Sequence, residues 1–121
     1  MSSRKNQPFS HRLRFALAGL MYGLRSERSL RLQGGALALV LAALAVLRPG
    51  PLWWAAVGLA SAGVLAAELL NTAIEALADH LSPELHPQIR IVKDCAAAAV
   101  LVCVLGALGV AAALAVHLLR R

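Results

Sequence analysis

The chain is short of almost everything a soluble enzyme is built from. Only 15% of its 121 residues are charged and 4% aromatic, while 60% are hydrophobic. A soluble domain carries about a quarter charged residues and about half apolar ones. The surplus here is aliphatic, which excludes a disordered chain, a disulfide scaffold and a conventional soluble enzyme. Cysteine is scarce: Cys95 and Cys103 lie eight residues apart in one apolar run. On a helix that is about 12 Å of rise, beyond the reach of a disulfide, so both read as small buried hydrophobes. There is no Cys-x-x-Cys pair and no Cys/His cluster at metal-binding spacing. Neither a Gly-x-x-x-x-Gly-Lys loop nor a Glu-x-x-His pair occurs, which excludes P-loop nucleotide folds and helical di-iron sites. What remains fits a small integral membrane protein of one domain, with room for at most about four spanning helices.

Residues 1–10 are polar and read as a disordered end, without the apolar core or cleavage site of a signal peptide. Over 11–28, Leu13, Leu17, Leu20 and Leu24 recur at helical spacing, and Arg14, Arg25 and Arg28 fall largely elsewhere on the wheel. This predicts an amphipathic helix lying at a membrane surface. Three spans are predicted at about 30–47, 52–81 and 93–118, so residues 11–121 form a single membrane domain. Arg31 and Gln33 at the start of the first span are expected to snorkel to the interface. Arg48-Pro49-Gly50-Pro51 breaks the chain, and Trp53 and Trp54 suit an aromatic belt at the start of the second span. Ser82-Pro83 ends that span, and a polar connection with Pro87 leads into the third.

The net charge is +6, and its placement matters more than its sum. Nine of the twelve Lys/Arg lie in the N-terminal segment and the 82–94 connection, against Arg48, Arg120 and Arg121 on the other side. The positive-inside rule puts the N-terminus in the cytoplasm and the C-terminus outside. No aromatic residues interleave with the basic ones, so they read as a segment drawn to anionic membrane lipids and not as a nucleic-acid surface.

The acidic residues carry the chemistry. There are six, and five of them (Glu68, Glu75, Asp79, Glu84, Asp94) lie between residues 68 and 94. On a helix Glu68, Asn71, Glu75 and Asp79 fall within about 80° of one another and make one polar stripe. Glu68 lies about 16 Å of helix rise deeper than Asp79, and a carboxylate at membrane depth is expensive unless paired or hydrated. The plain alternative is a stripe that joins helices by hydrogen bonds. Asn71 and Thr72 would serve that purpose alone, and acids without a lysine on the same face serve it poorly. Carboxylates on facing helices make hard-cation sites, and Mg²⁺ takes one or two of them beside phosphate oxygens. Glu27, at a depth comparable to Glu75, is a candidate to share such a metal. Lys93, beside Asp94, is a candidate phosphate contact. A cation, carboxylates and a lysine at the cytoplasmic interface are the parts of a phosphoryl-transfer site.

The run ELLNTAIEALADHLSPELHPQIRIVKDCAAAAVL, with Gly19-Leu20 and Ser26-Glu27-Arg28 upstream, resembles the small prokaryotic diacylglycerol kinase family. That family also contains the undecaprenol kinases of Gram-positive bacteria, and the resemblance covers about residues 11–119. It implies an all-α membrane fold of three transmembrane helices and an N-terminal amphipathic surface helix, assembled as a domain-swapped homotrimer in the bacterial inner membrane. It implies transfer of the γ-phosphoryl of ATP, the co-substrate, to a lipid alcohol, with Mg²⁺. By this resemblance Glu68 is the general base and Glu27 and Glu75 hold the metal. Glu84, Leu85, His86, Lys93 and Asp94 line the nucleotide, with Asn71 and Asp79 in support. Two departures stand out. His11, Arg12 and Arg14 all compete for the family's basic residue in the surface helix. Phe15 stands at a family aromatic, where any hydroxyl contact is lost. The stretch Ser82–Pro87 is closer to the undecaprenol kinases, which leaves the lipid open. Outside this family the rivals are a small cation-coupled transporter with Glu68 as proton relay, and a structural anchor. The third span offers a transporter no polar path, and an anchor leaves the acidic stripe unexplained.

Overall fold

The computed structural model describes residues 3–84 and 86–121. After a 3-10 turn at Arg4–Asn6, within the segment read as a disordered end, four helices follow: α1 (Phe9–Ser26), α2 (Arg28–Leu47), α3 (Pro51–Leu81) and α4 (Pro87–Leu119). Among the described residues there is no strand. Helices α2, α3 and α4 are each long and apolar enough to cross a membrane. The chain is an all-α membrane protein with a helix ahead of its three spans. That helix leaves Leu13, Leu17, Leu20 and Met21 exposed on the chain, as a helix lying against lipid would.

The breaks between helices follow from a few residues. Glu27 alone separates α1 from α2, with φ −112° and ψ 116°. Its N–H donates to the Gly23 carbonyl at 2.9 Å. The Arg31 guanidinium reaches back from α2 and donates to the Leu24 and Arg25 carbonyls at 3.0 and 2.9 Å. A cation on the last carbonyls of α1 is favourable for its dipole, so Arg31 ties two helices together and does not simply extend to the interface. Between α2 and α3, Arg48 adopts the left-handed conformation (φ 50°), Gly50 takes φ 117° and Pro51 opens α3. Helix α4 begins at Pro87, six residues before the expected span. His86 caps it, with Nδ1 accepting from the Gln88 N–H at 3.1 Å. Proline is favoured at the first helical position, and the polar residues after it occupy helical turns and no loop.

Helix α3 is the centre of the bundle. Val57, Val64, Ala67, Glu68, Thr72 and Ala78 are buried along it, and its most extensive partner is α4. Ala96 is buried at the start of the small-residue run of α4, where missing bulk lets two helices approach. Helix α1 crosses closely at Gly23: a Cβ there would stand 2.8 Å from Leu30 Cδ1 and 2.9 Å from Leu69 Cδ2. At the opposite end, Trp53 and His117 pack with ring centroids 5.3 Å apart and planes tilted by 36°. The Arg121 guanidinium donates to the Leu47 and Arg48 carbonyls there. The spans alternate in direction, so the α1–α2 junction, the last turns of α3 and the first turns of α4 share one end.

Candidate functional site

At that end the deepest acid is held from a neighbouring helix. Glu68 is 7% exposed. Gln33 Nε2 donates to its Oε1 at 2.8 Å, and Ser29 Oγ donates to its Oε2 at 3.3 Å. Ser29 and Gln33 are one turn apart on α2, so one helix face presents both donors. Thr72 does not touch the carboxylate; its hydroxyl donates to the Glu68 main-chain carbonyl at 2.9 Å, the back-bond usual for threonine in a helix. Among the described residues no Lys, Arg or His pairs with Glu68. Gln33 Oε1 and Asn71 Oδ1 are buried with no donor among the described residues. Sequence reasoning missed Ser29 and Gln33. Gln33 was expected at the interface, and it instead turns its amide onto the acid. The available signal was the four-residue spacing of two hydrogen-bonding side chains on the helix beside the acidic stripe.

Depth follows from these bonds. Ser29 and Gln33 bracket Glu68, which therefore stands about 6 Å of rise inward from Glu27 and about 10 Å inward from Glu75. Glu27 and Glu75 lie within about one helical turn of each other in depth, and both are half-buried. They are hard oxygen donors without an ion-pair partner among the described residues. Among the same residues no three His, Cys, Asp or Glu side chains gather as a metal cage. Two carboxylates suit Mg²⁺, which completes its shell with water and phosphate oxygens.

Nearer the mouth, Lys93 Nζ bonds Asp79 Oδ1 at 2.5 Å across α3 and α4. Glu75, one turn before Asp79, adds to the negative field at Lys93. Asp94 and the Glu84 side chain are exposed. The Glu84 carbonyl accepts from Ser82 Oγ at 2.6 Å and from the His86 N–H at 2.9 Å, which shapes the turn between the helices. His86 has a capping task through Nδ1, which leaves Nε2–H as its outward donor. Leu85 lies outside the described residues. On α1, His11, Arg12 and Arg14 are exposed, and it is Arg4 whose guanidinium sits 4.4 Å over the Phe15 ring. Between α2, α3 and α4 runs a cleft of about 340 Å³ whose lining includes Gln33, Leu37, Val57, Ser61, Val64 and Leu108. It is apolar apart from Gln33 and Ser61.

The fold and the site define a helical membrane protein with a buried carboxylate that has no cationic partner among the described residues, and a charged mouth at one end. The sequence profile of prokaryotic diacylglycerol kinase matches residues 14–115. The chain is also 35% identical over 95 residues to a diacylglycerol kinase of Synechocystis sp.. That alignment covers 78% of this chain and 54% of the relative, so the chain spans about half the length of the curated relative it matches. The chain belongs to the prokaryotic diacylglycerol kinase family.

Proposed function

We propose that the protein is an ATP-dependent lipid kinase that transfers the γ-phosphoryl of MgATP to the hydroxyl of diacylglycerol, giving phosphatidic acid and ADP. The observation that carries this reading is Glu68: a buried carboxylate inside a membrane span, with neutral hydrogen-bond donors and, among the described residues, no cationic partner. Such a group is available to take a proton from an alcohol held in the apolar phase. In the step, Glu68 accepts the hydroxyl proton as the lipid oxygen bonds to the γ-phosphorus and the bridging oxygen leaves with ADP. The adjoining cleft suits an aliphatic chain whose head group reaches Glu68.

Glu27 and Glu75 would hold Mg²⁺, and Glu84, Leu85, His86, Lys93 and Asp94, with Asn71 and Asp79, would form the nucleotide side. When bound, Mg²⁺ neutralises charge on the phosphate oxygens. Lys93 offers a second positive charge at the mouth and must exchange Asp79 for a phosphate to use it. The chain is read as a homotrimer in the bacterial inner membrane, with its N-terminus in the cytoplasm by the distribution of Lys and Arg.

Undecaprenol is the second lipid to test, because Ser82–Pro87 resembles the undecaprenol kinases. The test is transfer from labelled ATP in mixed micelles, with each lipid offered separately and Glu68→Gln alongside. Lipid phosphate that disappears in Glu68→Gln is the expected result and names the substrate. A folded, Mg²⁺-supplied protein that phosphorylates neither lipid refutes the reading and favours a cation-coupled transporter.

A further inference from the structure

Gln33 donates to Glu68 from α2, and the orientation of its amide is dictated by chemistry. The amide nitrogen is the donor and faces Glu68 Oε1 at 2.8 Å, where a carboxylate oxygen accepts. The consequence is that Gln33 Oε1 is buried without a donor among the described residues. A buried carbonyl without a partner is destabilising, and turning the amide over would set oxygen against oxygen. The arrangement therefore trades local stability for a hold on the acid. Thr72, the nearest hydroxyl on α3 itself, gives no help, since it bonds the main chain. The two bonds to Glu68 are also unequal. Oε1 is gripped at 2.8 Å, whereas Ser29 reaches Oε2 at only 3.3 Å. A neutral amide orients the carboxylate without placing a charge beside it.

We propose that Gln33 is a positioning residue for Glu68. It clamps Oε1, so that Oε2 is the oxygen presented to the lipid hydroxyl, and the loosely held Ser29 hydroxyl occupies the place the substrate hydroxyl takes. This rests on the reading of Glu68 as the base. No bond to the reacting atoms is required of Gln33; its effect passes through the geometry of Glu68.

Two measurements test it. The first is the side-chain amide resonance of Gln33 in the otherwise unmodified, isotope-labelled protein in micelles. One amide proton is expected well downfield, moving upfield in Glu68→Gln; an unmoved resonance overturns the clamp, and this needs no Gln33 variant to fold. The second is turnover with labelled ATP. The near-isosteric Gln33→Met, which lacks a donor, is expected to lower kcat about tenfold or more, the size of one hydrogen bond to a charged group. The KM for ATP stays unchanged, and Gln33→His, which restores a donor, recovers much of the loss. Turnover that Glu68→Gln abolishes and Gln33→Met leaves intact overturns the clamp alone. No turnover on diacylglycerol or undecaprenol in the unmodified protein overturns the kinase reading, and with it the catalytic part of this proposal.

Discussion

One methyl group added at Gly23 is expected to loosen the charged end of the bundle. In Gly23→Ala the new Cβ would stand 2.8 Å from Leu30 Cδ1 and 2.9 Å from Leu69 Cδ2. Favourable carbon–carbon contacts lie near 3.5–4.0 Å, so the shortfall is large on both sides. Leu30 is 0% exposed and has little space to yield. Relief must come from Leu69 rotating or from α1 lifting off. Overpacking of this kind costs about 1–3 kcal/mol, and alanine for glycine within a helix returns about 1 kcal/mol. The expected net loss is about 1 kcal/mol, or about 3–5 °C in the unfolding midpoint of a chain of this length. Gly23→Leu, which rotation of Leu69 does not accommodate, falls further. Leu69→Ala placed beside Gly23→Ala recovers part of the loss as a coupling between the two sites. Thermal unfolding in micelles gives the midpoints, and hydrogen exchange over residues 20–31 shows whether α1 has lifted. A Gly23→Ala protein with a raised midpoint, as an unobstructed helix position would give, refutes the close crossing.

Two further outcomes are expected. Gly50→Ala meets nothing within 4 Å, yet its backbone sits at φ 117° and ψ 163°. The loss of about 1–3 kcal/mol is therefore conformational, and the control Gly106→Ala, in open space within α4, unfolds at or above the parent midpoint. Lys93→Met is expected to raise the KM for ATP while leaving the unfolding midpoint nearly unmoved. Its partner Asp79 has 65% of its side chain exposed, and exposed pairs contribute little to stability. A fall in midpoint with an unchanged KM would assign Lys93 a structural role.

The spans were legible because apolar runs of this length have few other uses. Ser82 ends α3 as expected, and the Arg48–Pro51 break marks the first turn. The early start of α4 was obscured because its first turns are polar, and charge was read as connection. The signal was there in His86-Pro87, a capping side chain followed by a residue suited to the first helical position. Glu68 stood out by depth alone. Its partners did not, because a Ser and a Gln near the end of a span are ordinary interface residues until the facing helix is known. Arg31 and Gln33 are two residues apart and point to different tasks, one capping α1 and one reaching α3. That divergence is a property of the packed bundle, and periodicity within one helix does not contain it.

The Trp53–His117 ring contact between α3 and α4, and the Arg121 guanidinium on the end of α2, fasten all three spans at the end remote from Glu68. At the other end α3 and α4 are linked across their faces by an exposed ion pair. Helix α3 has 31 residues, so the lever between fastening and mouth is about 46 Å long. A rod pivoting at one end magnifies small rotations, and about 3° over that length moves the free end by about 2 Å. On the proposed reading, the charged groups that part around a polyphosphate stand at the long end of that lever.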